Sequence, residues 1–153
     1  MAGYEALGSI CSGGRYDSLA SDGKTTYPGV GISLGVTRLL MPLFQDDVLS
    51  ASRAVPSAVL VALPSDEHRV RCDEIAQALR ARGIATEVAA SPQKFGKQIR
   101  YAERRGIPFV WFPGEPDEVK DIRSGDQMAA DPANWTPPTE DLRPQVTFTK
   151  DDA

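Results

Sequence analysis

The stretch from residue 94 to residue 112 constrains the fold of this chain more than any other part of its 153 residues. The apolar residues of its first half recur at helical spacing and are Phe95, Ile99 and Ala102. This spacing predicts an amphipathic helix that ends at Gly106. The next run, residues 107–112, is nearly all apolar, as expected of a strand buried on both faces. A helix, a glycine stop and a buried strand make half of a βαβ unit.

Charge is distributed unevenly along the chain, which has a net charge of −4. Residues 94–105 hold five basic residues against one acid, whereas residues 115–153 hold four against ten. Lys97, Arg100 and Arg104 lie on the outer face of the predicted helix and are our candidates for contact with phosphates. A compact positive patch on an acidic protein indicates a polyanionic partner, although a solvated helix face would have the same composition.

Composition and length limit the number of domains and the classes of protein to which this chain can belong. A hydrophobic content of 41% and a charged content of 25% are ordinary for a globular protein of one domain, or of one domain plus a fragment. There is no apolar run long enough to cross a membrane and no signal peptide, so we expect a cytoplasmic protein without a membrane partner. Cys11 and Cys72 lack the spacing of a zinc site, so no metal site is predicted and both thiols are expected to be reduced and packed.

Two glycine-containing stretches near the start carry candidate binding groups. In the first, Gly13 and Gly14 precede Arg15, Tyr16 and Asp17, a set that suits a ligand site or a hairpin turn with an Arg-Asp ion pair. The second stretch, residues 28–40, has neither a Walker loop nor a GxGxxG pattern. It predicts a strand with close backbone approach, followed by a helix that presents Arg38 to an anion. A glycine-rich buried strand is the alternative.

The second half alternates strand and helix patterns after a linker at residues 42–56. The expected elements are strands at 58–63, 85–89, 107–112 and 119–122, a helix from Ser65 to Gly83, and a second helix that begins at Ser91 and Pro92. This order predicts an α/β fold, a mixed and mostly parallel sheet with helices on both faces. His68 is interpreted as a surface residue, Trp135 is expected to pack back on the domain, and residues 151–153 are expected to be a loose end.

Both halves resemble the histidyl-tRNA synthetases, a family of class II aminoacyl-tRNA synthetases. Residues 13–17 are similar to the family's second histidine-specific motif, and residues 31–39 to class II motif 3. The second half resembles the family's anticodon-binding domain, most clearly at residues 95–127. The resemblance implies a remnant of an antiparallel class II catalytic domain at residues 1–53 and an anticodon-binding domain at residues 54–153.

The resemblance also implies roles for individual residues. Tyr16, Gly14 and Arg15 would line the histidine pocket, while Arg38, as the catalytic arginine, and Gly35 would hold ATP. Thr37 stands where many members have Glu. ATP would be a substrate, with magnesium expected for the full-length enzyme and no cofactor bound by this chain alone. The implied partners are histidine tRNA, histidine and ATP, and the full-length parent would be a homodimer.

Class II motifs 1 and 2 are not found in this sequence. We therefore expect the chain to be the C-terminal part of a histidyl-tRNA synthetase, catalytically incomplete but able to bind the tRNA anticodon. A non-catalytic, synthetase-like regulatory or tRNA-sensing module is the alternative, although regulatory relatives generally lack the anticodon-binding domain. A third possibility is a small-nucleotide site. Residues 64–67, which have no glycine where a phosphate loop would stand, count against it.

Overall fold

Two units make up the chain in the computed structural model, which describes residues 3–149. The first unit extends up to Ser50 and includes the end of the last strand from Thr147 onward, while the second unit is Ala51–Val146. The loose end expected at residues 151–153 lies outside the described residues. Among residues 3–149, no helix has the length and apolar content needed to cross a membrane. The assignment of residues 1–53 and 54–153 to two family domains stays a prediction.

A long antiparallel hairpin dominates the first unit. Strand β1 (Cys11–Ser21) pairs with strand β2 (Thr26–Leu34). The hairpin turns at Asp22, whose carboxylate accepts hydrogen bonds from the backbone N–H groups of the two residues that close the turn, at 2.8 and 2.7 Å. Helix α1 (Val36–Gln45) follows directly, as the sequence predicts for the segment that carries Arg38. A short 3-10 turn, Glu5–Leu7, precedes the hairpin.

The hairpin leaves large apolar side chains exposed. Every residue of β1 is exposed, and Leu19, Val30 and Ile32 keep about four-fifths of their surface accessible, at 79%, 86% and 81%. Cys11 is exposed as well, so the prediction that it would be packed is wrong, since its strand has no covering layer among the described residues. Large apolar side chains that are exposed together in this way are typical of an interaction surface.

The remaining strands and helices follow in chain order: β3 (Leu49–Ala51), β4 (Val59–Val61), α2 (Arg69–Ala81), β5 (Thr86–Val88), α3 (Phe95–Arg105), β6 (Phe109–Phe112), β7 (Glu118–Asp121), β8 (Gln127–Ala129) and β9 (Val146–Phe148). The second unit is built on a five-stranded sheet of order β5-β4-β6-β7-β8, and β3 pairs with β9 in a separate two-stranded sheet. Short 3-10 turns occupy Asp66–His68 and Thr139–Asp141. The predicted mixed α/β sheet is therefore present.

The five-stranded sheet is less parallel than expected. Its β4-β5 and β4-β6 pairings are parallel, whereas β6-β7 and β7-β8 are antiparallel. The reason is that the chain turns back after β6 and again after β7, because Pro113 and Gly114 and later Gly125 favour tight turns over helical crossovers.

Helices α2 and α3 cover opposite faces of the sheet, as predicted. Val59 and Val61 of β4, and Leu63 just beyond it, alternate along the chain and pack in the cluster that contains residues of α2. The intervening Leu60 and Ala62 pack in the cluster that contains Ala102 of α3. Since successive side chains of a strand point to opposite faces, β4 must be apolar at every position, which explains its continuous hydrophobic run.

The two helices begin later than the sequence indicates. Gly106 ends α3 in the left-handed conformation, with a φ of 72°, as predicted. The start predicted at Ser91 and Pro92 is wrong, because Lys94 occupies the N-cap and the carbonyl of Gln93 instead accepts a hydrogen bond from the Gln98 side chain. Ser65 precedes a 3-10 turn rather than α2 itself, and its side chain caps no backbone N–H.

Candidate nucleic-acid interface

A cleft of about 430 Å³ lies in the second unit, between α3 and the chain that leaves strand β5. Its lining residues are Leu60, Glu87, Val88, Ala89, Ala90, Ser91, Gln93, Lys97, Gln98, Arg100, Tyr101 and Arg104. All three residues that the charge pattern selected for phosphate contact therefore lie in one cleft. The fold thus turns a stripe on a predicted helix into one wall of a concave site.

The two walls of the cleft have identifiable local causes. Lys97, Arg100 and Arg104 are spaced by three and four residues, so they share one face of α3. The facing wall is the chain that leaves edge strand β5. The Arg69 guanidinium holds this chain in place by donating to the carbonyls of Ala89 at 3.0 Å and Ala90 at 2.9 Å.

The basic residues of the cleft form no ion pair within the described residues. The ion pairs among residues 3–149 involve Arg15, Arg71 and Arg123, and none includes a basic residue of the cleft. Arg100 donates one hydrogen bond, from Nε to the Gly96 carbonyl one turn earlier at 3.2 Å. Lys97, Arg100 and Arg104 are therefore available to bind an anion such as a phosphate.

An aromatic ring lines the cleft together with these cations. Tyr101 is 37% exposed and is one of the lining residues contributed by α3. Exposed aromatic rings beside basic groups provide the stacking surface on which single-stranded nucleic acids place their bases. Tyr101 was not among the contacts predicted from the sequence, although an aromatic residue next to basic residues in a helix was a usable signal.

Glu87 is the acidic member of the cleft, and sequence reasoning missed it. It stands in the middle of β5, where Oε2 of its carboxylate accepts a hydrogen bond from the Ser57 hydroxyl at 3.3 Å. Its other oxygen, Oε1, is buried and has no hydrogen-bond partner among the described residues. A charged residue at the centre of a short strand was the signal that could have identified it.

Gln98 forms the inner boundary of the cleft and was also missed, because the helical pattern considered only apolar residues as inward-facing. It is 4% exposed, and its amide bonds the backbone of Leu63 in both directions at 2.9 Å. These bonds attach α3 to the segment that follows β4. They set the position of the wall that carries Lys97, Arg100 and Arg104.

The histidine-pocket candidates lie on the hairpin of the first unit. Gly14, Arg15 and Tyr16 are consecutive in β1, and all three are exposed. The Tyr16 ring covers Gly31, where a Cβ atom would come within 3.0 Å of Tyr16 Cε2. Arg15 Nε donates to Asp17 at 2.7 Å. The Arg-Asp ion pair that the sequence offered as the alternative to a ligand site therefore forms, but along a strand rather than at a turn. The proposed role of these residues stays a prediction.

The ATP-binding candidates occupy the junction of β2 and α1. Arg38 donates a hydrogen bond from Nη1 to the Ser9 carbonyl at 2.7 Å, and the N–H of Gly35 donates to the Ile10 carbonyl at 2.8 Å. Arg38 and Gly35 line the same depression of the first unit. Tyr16 is not among its lining residues, so the described structure does not bring the two sets of candidates into one pocket.

His68 and Cys72 each form a hydrogen bond within the fold. The exposed His68 ring is hydrogen-bonded through Nδ1 to the Ser65 hydroxyl at 2.8 Å, in agreement with a surface position. Cys72 is fully buried, its thiol donates to the Ala62 carbonyl at 3.4 Å, and burial raises the pKa of the thiol. A buried thiol with a raised pKa is a poor nucleophile. Within residues 3–149, no cluster of three or more His, Cys, Asp or Glu side chains is placed to hold a metal ion.

Comparison with known protein families gives a match for the part of the chain that holds the cleft. Residues 58–129 match the family described as "Anticodon binding domain". This range contains β4 to β8, both helices of the second unit and every residue of the cleft.

Comparison with curated and solved proteins extends the similarity to nearly the whole chain. It is 62% identical to the histidine-tRNA ligase of Cutibacterium acnes and 59% identical to that of Micrococcus luteus, over 97% and 99% of this chain but 34% of each relative. The crystal structure of histidyl-tRNA synthetase from Nostoc sp. PCC 7120 matches with a TM-score of 0.55 and 36% identity, over 86% of this chain and 33% of that one. The chain spans about a third of the length of these relatives.

Proposed function

Because residues 58–129 belong to the anticodon-binding domain family and the chain is related to histidine-tRNA ligases over about a third of their length, we propose that it is the C-terminal part of such a ligase. The parent enzyme would use ATP to activate histidine and would then transfer the acyl group to histidine tRNA. It would act in the cytoplasm, where proteins are synthesised.

The second unit would bind the anticodon loop in the cleft between α3 and β5. The observation that carries this proposal is that Lys97, Arg100 and Arg104 line one cleft together with the exposed ring of Tyr101. Unpaired cations attract the phosphates of a loop, and an accessible ring stacks with a splayed base. The two kinds of contact are needed together for single-stranded RNA, and both occur in this one cleft.

The first unit would be the end of the catalytic domain. Support comes from its apolar hairpin, where Leu19, Val30 and Ile32 are more exposed than is usual for large apolar side chains of a sheet packed in a complete domain. In the parent, further strands of the catalytic domain would cover this face. Tyr16, Gly14 and Arg15 would then contact histidine. Arg38 and Gly35 would contact ATP, with Arg38 offsetting charge on the phosphates while the histidine carboxylate attacks the α-phosphorus.

Magnesium would accompany ATP in the parent, and the parent would be a homodimer. For this chain alone we expect no formation of histidyl-adenylate. Adenylation requires the amino acid, the nucleotide and the stabilising cations to be held together, and Tyr16 is not among the residues that line the depression with Arg38.

The decisive experiment measures binding of the chain to histidine tRNA and to a tRNA with another anticodon. We expect tighter binding to histidine tRNA and no histidine-dependent pyrophosphate exchange by the chain. Equal binding of both tRNAs, or of neither, would contradict the proposal. The intact protein that contains this chain should exchange pyrophosphate, whereas a non-catalytic tRNA-sensing module would bind tRNA without exchange.

A further inference from the structure

We propose that Glu87 selects a guanine base of the bound RNA by accepting hydrogen bonds from the base's Watson-Crick edge. This inference rests on the proposed binding of RNA in the cleft and adds the residue that distinguishes one base from another. It concerns a side chain that neither the charge pattern nor the family resemblance singled out.

The position of Glu87 follows from the register of the sheet. In the parallel pairing of β4 with β5, Glu87 lies opposite Leu60. Leu60 packs on the face of the sheet that α3 covers, and cross-strand partners point to the same face. Glu87 therefore lies on the α3 side of the edge strand, where it lines the cleft together with Tyr101 and Arg104.

The hydrogen bonding of Glu87 is incomplete in a specific way. The Ser57 hydroxyl bonds to Oε2, while Oε1 is shielded from water and has no partner among the described residues. A buried carboxylate oxygen without a hydrogen bond is unfavourable, so a turn of the Glu87 side chain toward a donor in the cleft costs less than it would from a fully hydrogen-bonded position. The carboxylate thus forms an acceptor that a ligand with N–H groups would complete.

The charges of the cleft separate this role from phosphate binding. Lys97, Arg100 and Arg104 attract a polyanion, whereas the negative charge of Glu87 repels one. A groove that bound phosphates alone would be weakened by this carboxylate. Its presence is accounted for if the base rather than the backbone of the RNA reaches β5, because an ionised carboxylate accepts hydrogen bonds and donates none.

Guanine matches an acceptor-only group best. Its Watson-Crick edge presents the N1–H imino group and the N2 amino group side by side, so both donors can bond to one carboxylate. The donor of uracil is flanked by two carbonyl oxygens, which a carboxylate repels, and adenine and cytosine each place an acceptor nitrogen beside their amino group. An anticodon complementary to the histidine codons CAU and CAC reads GUG and offers guanine at its first and third positions.

The test compares the anticodon stem-loop of histidine tRNA with versions in which inosine replaces each anticodon guanine in turn. Inosine lacks the N2 amino group and otherwise keeps the shape of guanine. We expect one replacement to weaken binding by the unaltered chain roughly ten-fold, the value of about one such polar contact. In Glu87→Gln, whose amide places a donor beside the remaining acceptor, the same replacement should have little effect.

Glu103→Gln is the matched control. Glu103 is an exposed carboxylate of α3 that does not line this cleft, so its removal should change binding of both RNAs equally. Thermal unfolding of Glu87→Gln checks that the variant is folded. The inosine measurement on the unaltered chain tests the proposal without any substitution.

The outcomes separate the two proposals. Salt-dependent binding that is equally tight for the guanine and inosine RNAs, or an unchanged preference for guanine in Glu87→Gln, would overturn the role of Glu87 and leave RNA binding intact. Absence of salt-dependent binding to any of these RNAs would overturn the proposed function and this inference with it.

Discussion

The side-chain amide of Gln98 pairs with the backbone of Leu63 in both directions, accepting from its N–H and donating to its carbonyl at 2.9 Å each. The same Nε2 also donates to the Gln93 carbonyl at 2.6 Å. One glutamine therefore joins the segment after β4, the start of α3 and the chain that leads into this helix. This arrangement holds the basic wall of the cleft against the sheet.

Replacement of Gln98 by Leu should lower the free energy of unfolding by about 1 to 3 kcal/mol. The substitution leaves a buried N–H and a buried carbonyl of Leu63 without partners, and this cost exceeds the gain from burying a leucine. Urea unfolding followed by circular dichroism measures the difference. Gln77→Leu makes the same chemical change at an exposed position of α2 and should alter stability by less than about 0.5 kcal/mol. Similar values for both variants would contradict the assigned role.

Replacement of Gly106 by Ala should destabilise the second unit by about 1 to 2 kcal/mol. Gly106 has a φ of 72°, and an added Cβ would lie 3.0 Å from the Cβ of the buried Arg53. Gly96 provides a control within the same helix, because nothing lies within 4 Å of its missing Cβ and its φ is not positive. Gly96→Ala should raise the melting temperature, since alanine favours the helix by about 1 kcal/mol. A melting temperature for Gly106→Ala at or above the unaltered value would contradict this account of the helix end.

Removal of the three cations of the cleft should weaken tRNA binding and reduce its dependence on salt. We expect the triple variant Lys97→Ala, Arg100→Ala and Arg104→Ala to show a slope of log K against log salt that is shallower by about 2, since each phosphate contact on a single strand contributes about 0.7. Filter binding or fluorescence anisotropy across a salt series gives the slope.

A matched triple variant, Lys24→Ala, Arg105→Ala and Arg143→Ala, removes the same charge from exposed positions outside the cleft. It should retain most of the slope, because long-range attraction at physiological salt is screened beyond about 8 Å. Equal losses in the two triple variants would show that net charge, and not the cleft, determines binding.

Stability should depend on pH through Arg123. Its guanidinium bonds Asp121 at 2.8 Å and the mostly buried Asp141 at 2.8 Å, and its hydrogen bond lowers the pKa of Asp121. Because this folded-state pKa lies below the unfolded value of about 3.9, the contribution is present above that pH. It is lost as the pH falls through the folded-state pKa.

Arg123→Met should therefore cost about 1 to 3 kcal/mol near neutral pH, where both carboxylates lose their partner, and less at about pH 3. Urea unfolding at both pH values gives the comparison. Arg143→Met, at an exposed arginine that takes part in none of the ion pairs described for residues 3–149, should show almost no cost at either pH. A cost for Arg123→Met that grows on acidification would contradict the assigned direction.

The predicted features that the structure confirms depend on spacing within single segments. Helix α3, its end at Gly106, the buried β6 strand and the placement of helices on both faces of a mixed sheet follow from periodicity and one glycine. Errors occurred where a distant contact overrode a local pattern. The start of α3 moved from Ser91 to Phe95 because Gln98 holds the Gln93 carbonyl outside the helix.

The packing of Trp135 could be predicted from its residue type, but the contact that holds its loop could not. Sequence reasoning expected this ring to return to the domain, and it lies edge-on against Phe109 at 5.2 Å and Trp111 at 5.6 Å. The residue that holds its loop was not predicted. The Arg82 guanidinium, at the end of α2, donates to the carbonyls of Pro132, Asn134 and Trp135, which lie 50 to 53 positions away in sequence.

The sequence by itself determined the basic stripe of α3, the α/β alternation and the resemblance to histidyl-tRNA synthetases, because each of these depends on residues that are close together in the sequence. Only the tertiary structure decided that Glu87, on a different element, shares a cleft with Lys97, Arg100 and Arg104. It also decided that a glutamine 35 positions from Leu63 completes the backbone hydrogen bonds of that residue. Polar partners of this kind are chosen by which buried groups folding brings together, and no periodicity along one segment records that choice.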